Sequence, residues 1–184
     1  MTNLIPFLTR IIGLRDPHGE AHSSNVSDYS WALAREMKLT SSQLENLDLA
    51  ARIHDIGKIA INEFVINKPG RFTEAEYLMV QHHPELGAKL IGLLDLDPSI
   101  PSIILHHHEN FDGSGYPEKI KGEQIPLEAR ILRITDTYDA LISNRGYRPA
   151  YSKNRATAIM EQDSRFFDPQ LLELFFRIHR NKKL

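Results

Sequence analysis

Apolar residues in this chain return at helical spacing in one segment after another and almost never alternate, which limits the fold to the all-α class. Val26, Tyr29, Leu33 and Met37 share one face of a segment that Ser23 or Ser24 is placed to cap. Thr40 followed by Gln43 reads as a capping box, opening a helix through Leu44, Leu47 and Ala51 toward His54, and Gly57 stands where that helix is expected to stop. Asn67-Lys68-Pro69-Gly70 reads as a turn. Thr73 and Glu76 form a second capping box for a helix ending near His83. Pro84 suits the first turn of the next helix, which is expected to run to about Leu94. Asp97-Pro98 opens another that ends at the histidine run, and residues 127–143, 152–162 and 169 onward read as three more. Residues 110–126 form the one long loop expected.

Length and composition bound the rest. A chain of 184 residues with 41% hydrophobic content is expected to form a single domain, residues 1–184, with no regulatory domain attached. It has no cysteine, so any metal must be held by nitrogen and oxygen, and a reducing cytoplasm suits it. No apolar run approaches a membrane span, and the first ten residues lack a secretory pattern. A formal net charge of −2 argues against DNA as a partner. The N-terminal stripe of Leu4, Phe7, Leu8, Ile11 and Ile12 reads as core packing, with a homodimer contact as the alternative.

Eight of the nine histidines fall between His18 and His108, with His54-Asp55 at the centre of the set. Imidazole and carboxylate are ligands of Fe, Mn, Zn and Ni. His22, His54, Asp55, His83, His107, His108 and Asp136 are more groups than one four-coordinate ion needs, so at least two metals are expected, and with them hydrolysis, most often at phosphorus. Taken singly, His22 or His83 reads more readily as an ordinary surface or hydrogen-bonded histidine. Asp136 sits on an apolar helix and needs a partner, for which Arg133 or a metal would serve. Successive helical residues point about 100° apart, so His107 and His108 are expected to serve different ions. His106 is left out at a change from core to surface, and His82 is read as solvent-facing. Lys58 is either a phosphate partner or a solvated lysine at a helix end, and Arg145 and Arg148 can contact phosphate or a guanine edge.

In order, His22, His54-Asp55-x-x-Lys58, His83-Pro84, His107-His108-Glu109, Asp112-Gly113-Ser114-Gly115-Tyr116-Pro117 and Asp136-x-x-Asp139-Ala140-Leu141 resemble the HD-GYP domain, a branch of the HD metal-dependent phosphohydrolases, over about residues 15–169. The resemblance implies a compact multi-helix HD-domain bundle with a buried binuclear centre. It implies a bacterial signalling phosphodiesterase that hydrolyses cyclic di-GMP to pGpG and GMP. The metals it implies are Fe2+ or Mn2+, with Zn2+ or Ni2+ acceptable on purification. The family ligands fall on His22, His54, Asp55, His83, His107, His108 and Asp136, and the phosphate contacts on Lys58, Arg145 and Arg148. The resemblance implies that Gly115, Tyr116 and Pro117 form the loop that in the family lines the substrate cleft and is linked to docking of diguanylate cyclase (GGDEF) domains. Asp55 is expected to bridge the ions and Asp136 to ligate one and orient the attacking water, with Lys58 stabilising the charge at phosphorus. Two departures stand out: Ala21 precedes the first histidine where glycine is common, and His18 occupies the place of the glutamate that serves a third metal. The alternatives are a cyclic dinucleotide receptor of low turnover and an HD phosphohydrolase acting on another cyclic dinucleotide or nucleotide.

Overall fold

A computed structural model describes residues 4–15, 19–144 and 149–181. It holds ten helices: α1 (Leu4–Arg15), α2 (Gly19–Glu36), α3 (Ser41–Ile53), α4 (Glu63–Ile66), α5 (Glu74–Val80), α6 (His83–Ile91), α7 (Ser99–His106), α8 (Leu127–Ile142), α9 (Lys153–Gln162) and α10 (Pro169–Arg180). Short 3-10 turns occur at Ile56–Ala60, Gly122–Gln124 and Ser164–Phe166, and no strand occurs among the described residues. None of the helices is long and apolar enough to cross a membrane.

Local chemistry starts these helices where the sequence indicates. Thr40 and Thr73 both close full capping boxes with Gln43 and Glu76. Asp168 accepts from the first amides of α10, and Pro84 and Pro169 occupy first-turn positions that need no donor. Helix α2 is the main correction. It begins at Gly19, so Ser23 is not its cap but lies inside it, buried with Ser27 and Ser30. Small side chains at this spacing line one face and let α2 pack closely on α3 and α8. Ser30 and Thr135 share a hydrogen bond of 2.7 Å across that contact, and Ser27 donates to Asp48. Helix α6 stops at Ile91 rather than near Leu94, with Gly92 as its cap.

Two apolar clusters hold the bundle. One joins Leu8, Ile12, Val26, Ile53, Ile56, Ile91, Ile103, Ile104 and Leu132. The other joins Leu33, Leu47, Ile134, Tyr138, Phe167, Leu171, Phe175 and Ile178. Each fully buried side chain of this size contributes about 1.5–3 kcal/mol. Helices α2, α3 and α8 supply both clusters and form the spine along which the polar site lies. The N-terminal stripe is divided: Leu8 and Ile12 are buried, whereas Phe7 is 61% exposed.

Gly57 has a different task from the helix stop expected of it. Helix α3 already ends at Ile53, and the chain passes through the turn Ile56–Ala60 against the start of α6. A Cβ on Gly57 would overlap the backbone oxygen of His83 and lie 2.6 Å from the nitrogen of Gly87. Both contacts are backbone and cannot swing away. Gly57→Ala should therefore lower stability by about 1–3 kcal/mol or more, as overpacking does, read as a fall in the denaturant midpoint. An unchanged midpoint would mean the two segments separate at no cost.

Candidate metal centre

Three of the expected ligands stand at helix ends, and this aims their rings. The last carbonyls of a helix lack intrahelical partners. His54, His83 and His107 each give the Nδ1 proton to such a carbonyl three residues back: Ala51 O at 2.7 Å, Val80 O at 2.7 Å and Ile104 O at 2.6 Å. That fixes the tautomer and leaves Nε2 as the free lone pair. The Nε2 atoms of His83 and His107 then face one another at 3.2 Å, an arrangement suited to a shared cation. From α2 and α8, His22 Nε2 and Asp136 Oδ1 meet at 3.2 Å, so Arg133 is not the partner of Asp136. Arg133 instead donates to Asn110 and Thr137, and its guanidinium lies over the Phe167 ring.

Asp55 lies between the two groups. Its Oδ1 is 3.3 Å from His83 Nε2, and its Oδ2 is 3.5 Å from His54 Nε2 and 4.0 Å from His22 Nε2. Lys58 Nζ donates to the same Oδ2 at 2.7 Å. Three overlapping sets can each hold an ion: His22, His54 and Asp136; His54, Asp55 and His107; and His83, His107 and His108. Together they contain all seven expected ligands. His107 and His108 share a set with His83, and His107 also stands in the set with His54 and Asp55, which lacks His108. Helix α7 ends at His106, with His107 as its cap in helical conformation. His106 is outside the sets as expected but is buried rather than at a surface: Ser102 O and Glu118 satisfy it. His82 faces solvent, its side chain 66% exposed.

The loop after the histidines is built onto them. Tyr116 lies with its ring centroid 4.9 Å from that of His108. Buried Glu109 accepts the amides of Glu118 at 2.7 Å and Lys119 at 2.9 Å, pinning the loop beyond Pro117. Gly115 has no room for a side chain, since a Cβ would sit 2.6 Å from His108 O. Glu109 and Asp139 were not singled out as site residues by the sequence. The available signals were the direct continuation of the histidine run and the three-residue spacing from Asp136. His18, Arg145 and Arg148 lie outside the described residues. A separate open groove of about 750 Å³, lined in part by Phe111, Arg165, Phe167 and Arg180, contains none of the ligands.

Electrostatics divide the cluster. Burial lowers His83 to about 4 and depresses His107 and His108 further below the usual histidine range, keeping them neutral as ligands must be. Burial would also depress His22, but hydrogen bonds to Asp136 and Asp139 override it and lift that ring to about 9. Burial opposes the charge of Asp55, yet Lys58 and the histidines hold it well below the usual carboxylate range. Linkage gives the sign of the consequence. Between about 4 and 6.5 the unfolded chain binds the His83 proton that the folded chain refuses, so stability rises with pH. From 6.5 through about 9 the folded chain holds the His22 proton more tightly, so that stabilisation is lost as pH rises. The melting temperature of chelator-stripped protein should peak near pH 6.5, and metal should abolish the alkaline decline because a coordinated His22 Nε2 carries no proton to lose. An alkaline decline indifferent to metal would contradict this.

A model of the HD domain family matches residues 6–171. The chain is 38% identical over 173 residues to the cyclic di-GMP phosphodiesterase response regulator RpfG of Xanthomonas campestris, covering 92% of this chain and 46% of that protein. It is 34% identical over 154 residues to 3'3'-cGAMP-specific phosphodiesterase 3 of Vibrio cholerae, covering 84% of this chain and 34% of that protein. Thus it spans less than half the length of either relative. Among solved structures it resembles Bd1817, an HDG"Y"P protein from Bdellovibrio bacteriovorus, with a TM-score of 0.71 at 22% identity over 88% of this chain and 52% of that one. That likeness concerns the fold.

Proposed function

The chain belongs to the HD domain family, and from that premise we propose that it is a metal-dependent phosphodiesterase of cyclic dinucleotides, with cyclic di-GMP as its first substrate. The observation that carries this reading is the meeting of seven nitrogen and oxygen ligands from separate helices, with Asp55 between two groups of them. The donor set fits divalent ions, because burial keeps His83, His107 and His108 neutral, imidazole nitrogens and carboxylate oxygens converge, and two carboxylates offset the charge. His22, His54, Asp55 and Asp136 would hold one ion, and Asp55, His83, His107 and His108 the other. When bound, two such ions, Fe2+ or Mn2+ by the family resemblance, supply Lewis acidity and acidify nearby water.

The chain's own residues do the remainder. Lys58 carries a charge at the edge of the cluster on a side chain 19% exposed, within reach of a phosphate oxygen. Asp136, kept ionised by His22 despite its burial, is an acceptor able to orient an attacking water. Tyr116, stacked beside His108, forms an aromatic wall against which a base can lie. Arg145 and Arg148 extend the phosphate contacts by their place in the motif. The loop of Gly115, Tyr116 and Pro117, flanked by exposed Asp112, Ser114 and Glu118, is where a GGDEF partner would dock. The second messenger is intracellular, so the place of action is the cytoplasm.

The test is a side-by-side panel of cyclic di-GMP, 3'3'-cGAMP and nucleoside monophosphates with metal-loaded protein. Preferential release of linear dinucleotide from cyclic di-GMP supports the proposal. Preference for 3'3'-cGAMP would keep the reaction and change the substrate, and turnover of monophosphates alone would overturn both.

A further inference from the structure

His22 departs from the other helix-end ligands in how its far nitrogen is held. His54, His83 and His107 use a spare backbone carbonyl. His22 lies inside α2, three residues past its first residue Gly19, where neighbouring carbonyls belong to the helix ladder. Its Nδ1 instead donates across to Asp139 Oδ2 on α8 at 2.7 Å. Asp139 is fully buried, and among the described residues its remaining side-chain partners are Asn25 Nδ2, which donates to Oδ1 at 3.0 Å, and Ser143 Oγ, which donates to Oδ2 at 3.1 Å. A carboxylate buried this completely is costly unless it is paired. Of those partners only His22 reaches the ligand cluster.

We infer that Asp139 is a positioning residue, which fixes His22 in the Nδ1–H tautomer, aims Nε2 at His54 and Asp136, and raises its donor strength. The inference rests on the reading of His22 as a metal ligand. A carboxylate is a stronger acceptor than a carbonyl, so it strengthens the one ligand ring in this set held by a charge. Asn25 holds the other carboxylate oxygen and keeps Asp139 in register without touching the cluster.

The test uses Zn2+ as a diamagnetic probe, in competition with a chromophoric chelator. Asp139→Asn keeps the shape and removes the charge, and should weaken the more labile Zn2+ by about 10–100-fold, as loss of a partner behind a ligand does. Asn25→Ala removes only the Asn25 hydrogen bond to Asp139, leaves that of His22, and should weaken it far less. Equal losses in both variants, or no loss in Asp139→Asn, would overturn the inference. Should Asp139→Asn fail to fold, nitrogen NMR of Zn2+-loaded wild type decides: a slowly exchanging proton on His22 Nδ1 is expected, and a proton on Nε2 instead would overturn it. Wild-type protein that takes up no Zn2+ would sink the metal reading itself, a result distinct from an indifferent variant.

Discussion

Asp55→Ala should cut turnover of a cyclic dinucleotide by about a thousand-fold or more and leave at most one metal per chain. The reason is its position. Its two oxygens face His83 on one side and His54 and His22 on the other. No other carboxylate occurs in the three sets except Asp136, which stands with His22 and His54 only. Removing Asp55 takes away the link between the groups and leaves Lys58 without the carboxylate that offsets its charge. Asp55→Asn sharpens the test, since it preserves volume and hydrogen bonding but loses the charge. Elemental analysis and product formation are read on the same sample. Two metals per chain with near-normal turnover would show that Asp55 is not the bridge.

Lys58→Ala should behave in the opposite way toward the metals. In the structure its ammonium neutralises Asp55 at 2.7 Å. Two dications take over that role once bound, and removing a neighbouring cation relieves their repulsion. Metal content should hold at two per chain, while kcat/KM falls by about 10²–10³, the usual effect of deleting one charge-stabilising donor. Chelator competition separates the outcomes: loss of metal with substrate binding intact would make Lys58 a support for Asp55 rather than a phosphate contact.

Much of the molecule could be read from sequence because its signals are local. Thr40–Gln43 and Thr73–Glu76 fix helix starts through hydrogen bonds made within four residues. Asp168-Pro169 does the same for α10. The seven candidate ligands could be picked out because His and Asp in that order match a motif, and the fold brings all seven together. What escaped was set by tertiary contact. Ser23 looks like a cap, but the approach of α2 to its neighbours requires a small residue there, so the helix runs through it. Gly57 looks like a helix stop, but a backbone crossing demands it. Asp139 stands in the motif that begins at Asp136, but the motif does not show its contact, which is with a histidine 117 positions away.

The most direct test of the central claim is a metal titration of chelator-stripped protein. Mn2+, or Fe2+ without oxygen, is added in fractions of an equivalent while bound metal and cyclic di-GMP hydrolysis are followed together. The binuclear reading expects two ions per chain, with hydrolysis rising mainly as the second binds. Full activity at one equivalent, or activity untouched by chelator, would contradict it.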